Sequence, residues 1–169
     1  MRIIDVLIGL PGVGKTTFAR NFVISNPEWM IITLDAIREM LYGCYVYKDS
    51  DQAMVQRIAG FIVRQIAQSG RNAILDDTVM VLTKASRKEL ISSLRAMFYA
   101  ERVQIRAIVF NYDLEICLNK RLADPRGVSS QQWKRVITDM VQEFEPVSKS
   151  EGFDKITYID STMKGKDLI

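Results

Sequence analysis

"IIDVLIGLPGVGKTTFARNF", residues 3–22, carries three signals in one stretch. Residues 3–10 are an apolar, β-rich run ending in glycine, which predicts a buried strand. Gly9-x-x-x-x-Gly14-Lys15-Thr16 then has the full spacing of a phosphate-binding loop. A helix opens at Gly14-Lys15 with Phe18, Ala19, Phe22 and Val23 on one face, and Asn26-Pro27 stops it. The glycines let backbone N–H groups point inward at oxyanions, and the helix N-terminus adds partial positive charge. Gly9, Pro11, Gly12, Val13, Gly14, Lys15, Thr16 and Thr17 are therefore the candidate nucleotide contacts. Lys15 is suited to the β- and γ-phosphates and the Thr16 hydroxyl to Mg²⁺.

Outward from this stretch, strand and helix signals alternate to the end. Strands are predicted at 29–34, 72–78, 103–110 and 155–160. Helices are predicted from Asp35 through "AIREML", over 51–69 closed by Gly70, over 83–99, from the cap Asp113 to about 122, and from Ser129 to about 145. Ser129 and Gln132 have capping-box spacing. Strands with few polar residues, alternating with helices, predict a three-layer α/β fold, a parallel sheet covered by helices on both faces. Residues 9–16, 35 and 76–77 all fall at the carboxyl ends of strands, where such sheets bind ligands. The whole of 1–169 reads as a single P-loop domain with a helical lid at about 120–130.

Bulk properties narrow the class. The chain has 169 residues, 48% apolar and 25% charged, with a net charge of +3 and a pI near 8.9, which accommodates nucleic acid without demanding it. No apolar run reaches the ~18 residues of a membrane span. The short apolar N-terminal run contains Asp5 and leads straight into the glycine loop, so it reads as a strand and not as a signal peptide. Cys44 and Cys117, far apart, make neither a disulfide framework nor a zinc pattern, and the chain reads as cytosolic. There is no histidine, so any proton transfer falls to Asp, Glu, Lys, Tyr or Cys.

"NKRL" (119–122) places Leu122 where a guanine-reading motif needs Asp, and "DPRG" (124–127) follows a helix instead of the third strand; the chain does not read as a GTPase. A short P-loop chain with a lid is most simply a kinase. Asp35 stands one helical turn before Arg38. The pair is suited to accept a hydroxyl proton and grip an acceptor anion, or else to form a helix cap with a surface ion pair. Asp76-Asp77-Thr78 ends the third strand, where an acid can hold Mg²⁺ through water. The pleat sends neighbours to opposite faces, so only one of the two acids faces a given site. Arg121 and Arg126 flank a break at Pro125 and Gly127 and can close over a triphosphate. Tyr42, Tyr45 and Tyr47 crowd one loop, where they either stack a base or pack the loop down. Trp133, Ile137, Met140 and Val141 form a core stripe.

These residues resemble the kinase module of polynucleotide 5′-kinases, such as the bacteriophage and bacterial end-healing enzymes. "IGLPGVGKTTFARNF" is similar to their P-loop segment, "TLDAIREML" to their acid-and-arginine segment, "ILDDTVM" to their third strand end and "NKRLADPRGVS" to their lid. The resemblance covers roughly residues 2–148. It implies ATP as donor, with Lys15 and Thr16 on donor phosphates and Mg²⁺. It further implies Asp35 as general base, Arg38 on the acceptor's phosphate, Asp77 before Thr78 near the acceptor, and Arg121 and Arg126 clamping the donor. The expected catalytic set is thus Lys15, Asp35 and Arg126. Asp76 joins Thr16 at the metal, and Arg38, Asp77, Thr78 and Tyr45 face the substrate. The acceptor implied is nucleic acid, DNA or RNA, at a 5′-hydroxyl end. Stand-alone phage enzymes that phosphorylate a hydroxymethylated base within DNA are similar too. A small-molecule hydroxyl kinase and a nucleotide-dependent regulatory module are the other readings.

Overall fold

The computed structural model describes residues 2–98 and 102–160. In chain order the elements are β1 (Arg2–Ile8), α1 (Lys15–Ser25), β2 (Trp29–Thr33), α2 (Leu34–Tyr42), α3 (Gln52–Gln68), β3 (Asn72–Asp76), α4 (Lys84–Met97), β4 (Val103–Phe110), α5 (Leu114–Ala123), α6 (Ser130–Glu143) and β5 (Lys155–Ile159). All five strands are parallel, in the order β2-β3-β1-β4-β5. Successive residues of β1 feed opposite faces. Ile4, Val6 and Ile8 join a core with α2, α3 and α4, while Leu7 joins a second core with α1, α5 and α6. Both faces are thus buried, as the runs of apolar residues in the strands require. β1 is central, with β3 on one side and β4 on the other; the chain builds β2 and β3 to one side of it and β4 and β5 to the other, and the crevice at this switch lies above the carboxyl end of β1.

The predicted elements are all present, with shifted ends. β3 stops at Asp76, so Asp77 and Thr78 lie past the ladder, in the turn before a short 3-10 segment at Val79–Val81. Thr33, not Asp35, caps α2: its hydroxyl accepts from the Ala36 N–H at 2.9 Å. Ser129 caps α6 by accepting from Gln132 N–H, but the complete capping box belongs to Ser148 and Glu151. The end of the fourth predicted helix at residue 99 and the last part of the predicted domain, 161–169, lie outside the described residues.

Two ion pairs inside this frame have no local sequence signal. Asp5 on β1 meets Arg106, its register partner on β4, in a two-pronged contact at 2.6 and 2.7 Å, with the guanidinium 5.5 Å from the Trp29 ring centre. Arg87 and Glu151 are both fully buried. Arg87 donates to both Glu151 oxygens at 2.5 and 3.0 Å and to the carbonyls of Val81, Leu82 and Pro146. One Glu151 oxygen also accepts from Ser148 N–H. The network pins the segment after β3 and the 146–151 turn to the same side chain.

Candidate active site

The loop between β1 and α1 turns through Gly12 and Gly14, both at positive φ, 85° and 106°. At Gly12 there is also no room. A Cβ would stand 2.5 Å from the Cys117 carbonyl oxygen of α5, so the loop presses its backbone against that helix. Lys15 is buried and folded along the loop: its Nζ donates to Gly9 O at 2.6 Å, Leu10 O at 3.0 Å and Thr78 Oγ1 at 3.0 Å. Burial pulls its pKa below the ordinary lysine value, with Asp76 and Asp77 pulling it back up. Thr16 Oγ1 donates to Asp76 Oδ2 at 2.5 Å. This hydroxyl and carboxylate are hard oxygen donors that suit Mg²⁺, which takes one or two carboxylates and completes its shell with water and phosphate oxygens.

Asp35 lies in the first turn of α2 between two arginines. Arg38 Nη1 donates to its Oδ1 at 2.7 Å and Arg126 Nη1, from the loop between α5 and α6, donates to its Oδ2 at 2.9 Å. Arg38 is only 3% exposed. Its second arm donates to Gln52 Oε1 at 2.5 Å, Tyr47 lies 5.1 Å from it, and its Nε is buried without a partner. Arg126 has a left-handed backbone, φ 48°, and packs over Tyr45 at 5.5 Å. Tyr42 turns away and donates to the Asp51 carboxylate. Tyr47 thus packs against Arg38 of α2, Tyr45 against Arg126 of the α5–α6 loop, and Tyr42 against Asp51.

Arg121 stacks on Trp133 at 4.6 Å, and its Nε too is buried and unpartnered. Burial, then the nearby Arg126 charge, lowers its pKa. The Trp133 indole N–H donates to Pro125 O at 2.7 Å. Read from sequence as core alone, Trp133 thus holds both the guanidinium of Arg121 and the backbone next to Arg126. Gln52 is a second residue the sequence reading missed; neither carries a motif.

The P-loop residues Pro11, Gly12, Gly14, Lys15, Thr16 and Thr17 line one cleft of about 1370 Å³, together with Asp35, Arg38, Tyr45, Tyr47, Arg121, Arg126 and Trp133. The structure brings together Lys15, Thr16, Asp35, Arg38, Tyr45, Asp76, Asp77, Thr78, Arg121 and Arg126. Gly9 and Val13 instead support the loop from behind: Val13 is buried in the core, and a Cβ on Gly9 would meet Phe110 Cβ at 3.1 Å.

A profile of the AAA domain matches residues 5–147. The chain belongs to the AAA domain family. Among curated proteins no sequence matches it. Solved structures similar to this AAA domain include a chain of the Pnkp1/Rnl/Hen1 complex, at 22% identity and TM-score 0.61 over 70% of this chain. A fungal RNA kinase matches over 99% at 15% identity and TM-score 0.69, and a gluconokinase from Sinorhizobium meliloti 1021 over 99% at 14% and 0.59. The present chain spans 38% of the first of these, 78% of the second and 86% of the third. The shared architecture is the P-loop kinase fold. No helix among the described residues is long and apolar enough to cross a membrane.

Asp77 is the strained group of the site. Its Oδ1 accepts from Val79 N–H at 2.9 Å, while its Oδ2 is shielded from solvent without a partner. Burial raises its pKa, against the lowering pull of Arg38 and the Val79 bond. A carboxyl raised in the folded state binds its proton more tightly there than in the unfolded chain. Its cost to stability is present above the folded-state pKa and fades as pH falls through it. Asp77→Asn keeps the acceptor for Val79 and removes the charge. The variant is expected to be more stable at pH 7 by about 1 kcal/mol, a few degrees in melting midpoint. The gain should shrink in acid. Melting curves from pH 7 downward check this; a lower midpoint at pH 7 would contradict it.

Proposed function

We propose that this protein is a kinase that moves the γ-phosphoryl group of ATP to a 5′-hydroxyl end of a polynucleotide. The observation that carries the reading is the Asp35–Arg38 pair. A carboxylate able to take a proton sits beside a buried guanidinium with one unpartnered N–H, across a cleft from the phosphate-binding loop. An acceptor with a hydroxyl and a neighbouring phosphate satisfies both groups. The acceptor oxygen forms the new bond to phosphorus as the bond to the β-phosphate oxygen breaks, ADP leaves, and Asp35 takes the hydroxyl proton. Lys15, Arg121 and Arg126 would offset charge on the transferring group. Arg126, bonded to Asp35 in this structure, would turn to the donor as the acceptor hydroxyl takes its place. Thr16 and Asp76 would hold Mg²⁺, which neutralises phosphate charge when bound.

The fold shared with the fungal RNA kinase supports a nucleic acid acceptor, and that shared with the gluconokinase supports a small-molecule hydroxyl as second reading. γ-Labelled ATP with Mg²⁺ tests both, against a 5′-hydroxyl oligonucleotide, its 5′-phosphorylated twin, a 5′-phosphorylated duplex with internal 5-hydroxymethyluracil, and a sugar panel. Label on the first alone supports the end kinase. Label on the modified duplex alone moves the acceptor to the base. Label on a sugar alone overturns the nucleic acid reading.

A further inference from the structure

A second groove, of about 980 Å³, runs between α3 and α4 down the face of the sheet. Asp77 and Val79 form its head and line the cleft as well, so the two are continuous. α3 leads into the parallel strand β3 and therefore runs back along the sheet, with its first turns nearest the site. Arg57, Phe61 and Arg64 stand at i, i+4 and i+7, one stripe of this helix, and all three line the groove. Phe61 is 65% exposed, an aromatic ring that neither core uses. Arg57 and Arg64 are exposed and have no hydrogen bond or ion pair among the described residues. They are about 10 Å apart along the axis at 1.5 Å per residue. Gly60, beside Phe61, has no side chain to narrow the channel. The groove's acids, Glu89 on the α4 wall and Asp77 at the head, leave the α3 rim as its cationic side.

An exposed ring flanked by two unpaired guanidiniums is the chemistry of sequence-tolerant single-strand binding: the ring stacks a base and the cations follow the backbone. A sugar acceptor, contained within the cleft, would have no use for it. We propose that a single-stranded acceptor continues from the cleft into the α3–α4 groove, with a base on Phe61 and backbone phosphates on Arg57 and Arg64. This rests on the polynucleotide reading above and extends it from the reacting end to the strand behind it.

The test compares two acceptors, a nucleoside 3′-monophosphate, which fills the cleft alone, and a 5′-hydroxyl dodecanucleotide, which also fills the groove. Arg57→Ala/Arg64→Ala is expected to raise KM for the dodecanucleotide about tenfold. It should leave kcat, and both constants for the mononucleotide, unchanged. The slope of log(kcat/KM) against log salt for the long acceptor should flatten by about 1.4, two single-strand phosphate contacts. Phe61→Ala should raise the same KM roughly tenfold without changing the salt slope. Equal KM for both acceptors in the wild type, or an equal rise for both in the variants, overturns the groove and leaves the end-kinase reading standing. Label on neither acceptor overturns that reading, and the groove with it.

Discussion

Asp35→Asn is expected to lower phosphoryl transfer by about two to four orders of magnitude while ATP still binds. The amide keeps the shape of the carboxylate but cannot take the acceptor proton, and the chain has no histidine to replace it. The loss belongs in kcat, because in the proposed reading the donor is held by the P-loop and the α5–α6 loop and not by Asp35. Stability should barely change. Asp35 is 39% exposed on its side chain, so its pair with Arg126 is screened by solvent, and the asparagine oxygen still accepts a hydrogen bond from the buried Arg38. The measurements are acceptor labelling under saturating ATP and nucleotide affinity by calorimetry on the same preparation. Normal transfer in the variant would remove Asp35 as the base. Loss of both transfer and nucleotide binding would show that the substitution had disturbed the P-loop, and would leave the base unassigned.

The largest effect on stability is expected far from the chemistry, at Glu151. Replacing it with alanine leaves the Arg87 guanidinium fully buried with only carbonyl oxygens around it. Stranding one member of a buried ion pair costs about 3–5 kcal/mol, a large share of the 5–15 kcal/mol typical of a domain. The melting midpoint should fall by roughly 10 °C. The double variant Arg87→Met/Glu151→Leu should cost far less than either charge removed alone, because it takes both charges out of the interior together. Urea unfolding of the two single variants and the double closes the cycle. Additive losses would mean that the pair is not coupled.

The architecture was legible because its signals are local. Each strand announced itself by an apolar run, the helices by stripes, caps and stop signals, and the P-loop by spacing. The site was legible only in part. Lys15, Thr16 and the acids at the end of β3 come with motif positions, but the partner of each side chain does not. Arg126 reaches Asp35 across 91 residues of chain and Arg87 reaches Glu151 across 64. No periodicity within one segment reports a contact of that span. Trp133 was read only in part for a related reason: a tryptophan on a helical stripe is core by pattern, and it is buried, but only the fold shows that it also lines the cleft. Asp76 and Asp77 were separable in principle by the pleat. The strand's end at Asp76, which turns Asp77 toward Arg38 and α3, was not.

The central place of β1 bears on how the chain is made. β1 pairs with β3, some 70 residues later, and with β4, about 100 residues later. At 5–20 residues per second, a ribosome needs roughly 5–20 s to supply the second of those partners. Until then a strand that is apolar except for Arg2 and Asp5 has an open edge, and contacts of such sequence separation form slowly. The segment that bears the P-loop is therefore translated ahead of both strands that enclose it, and this interval is when a chaperone would have most to protect.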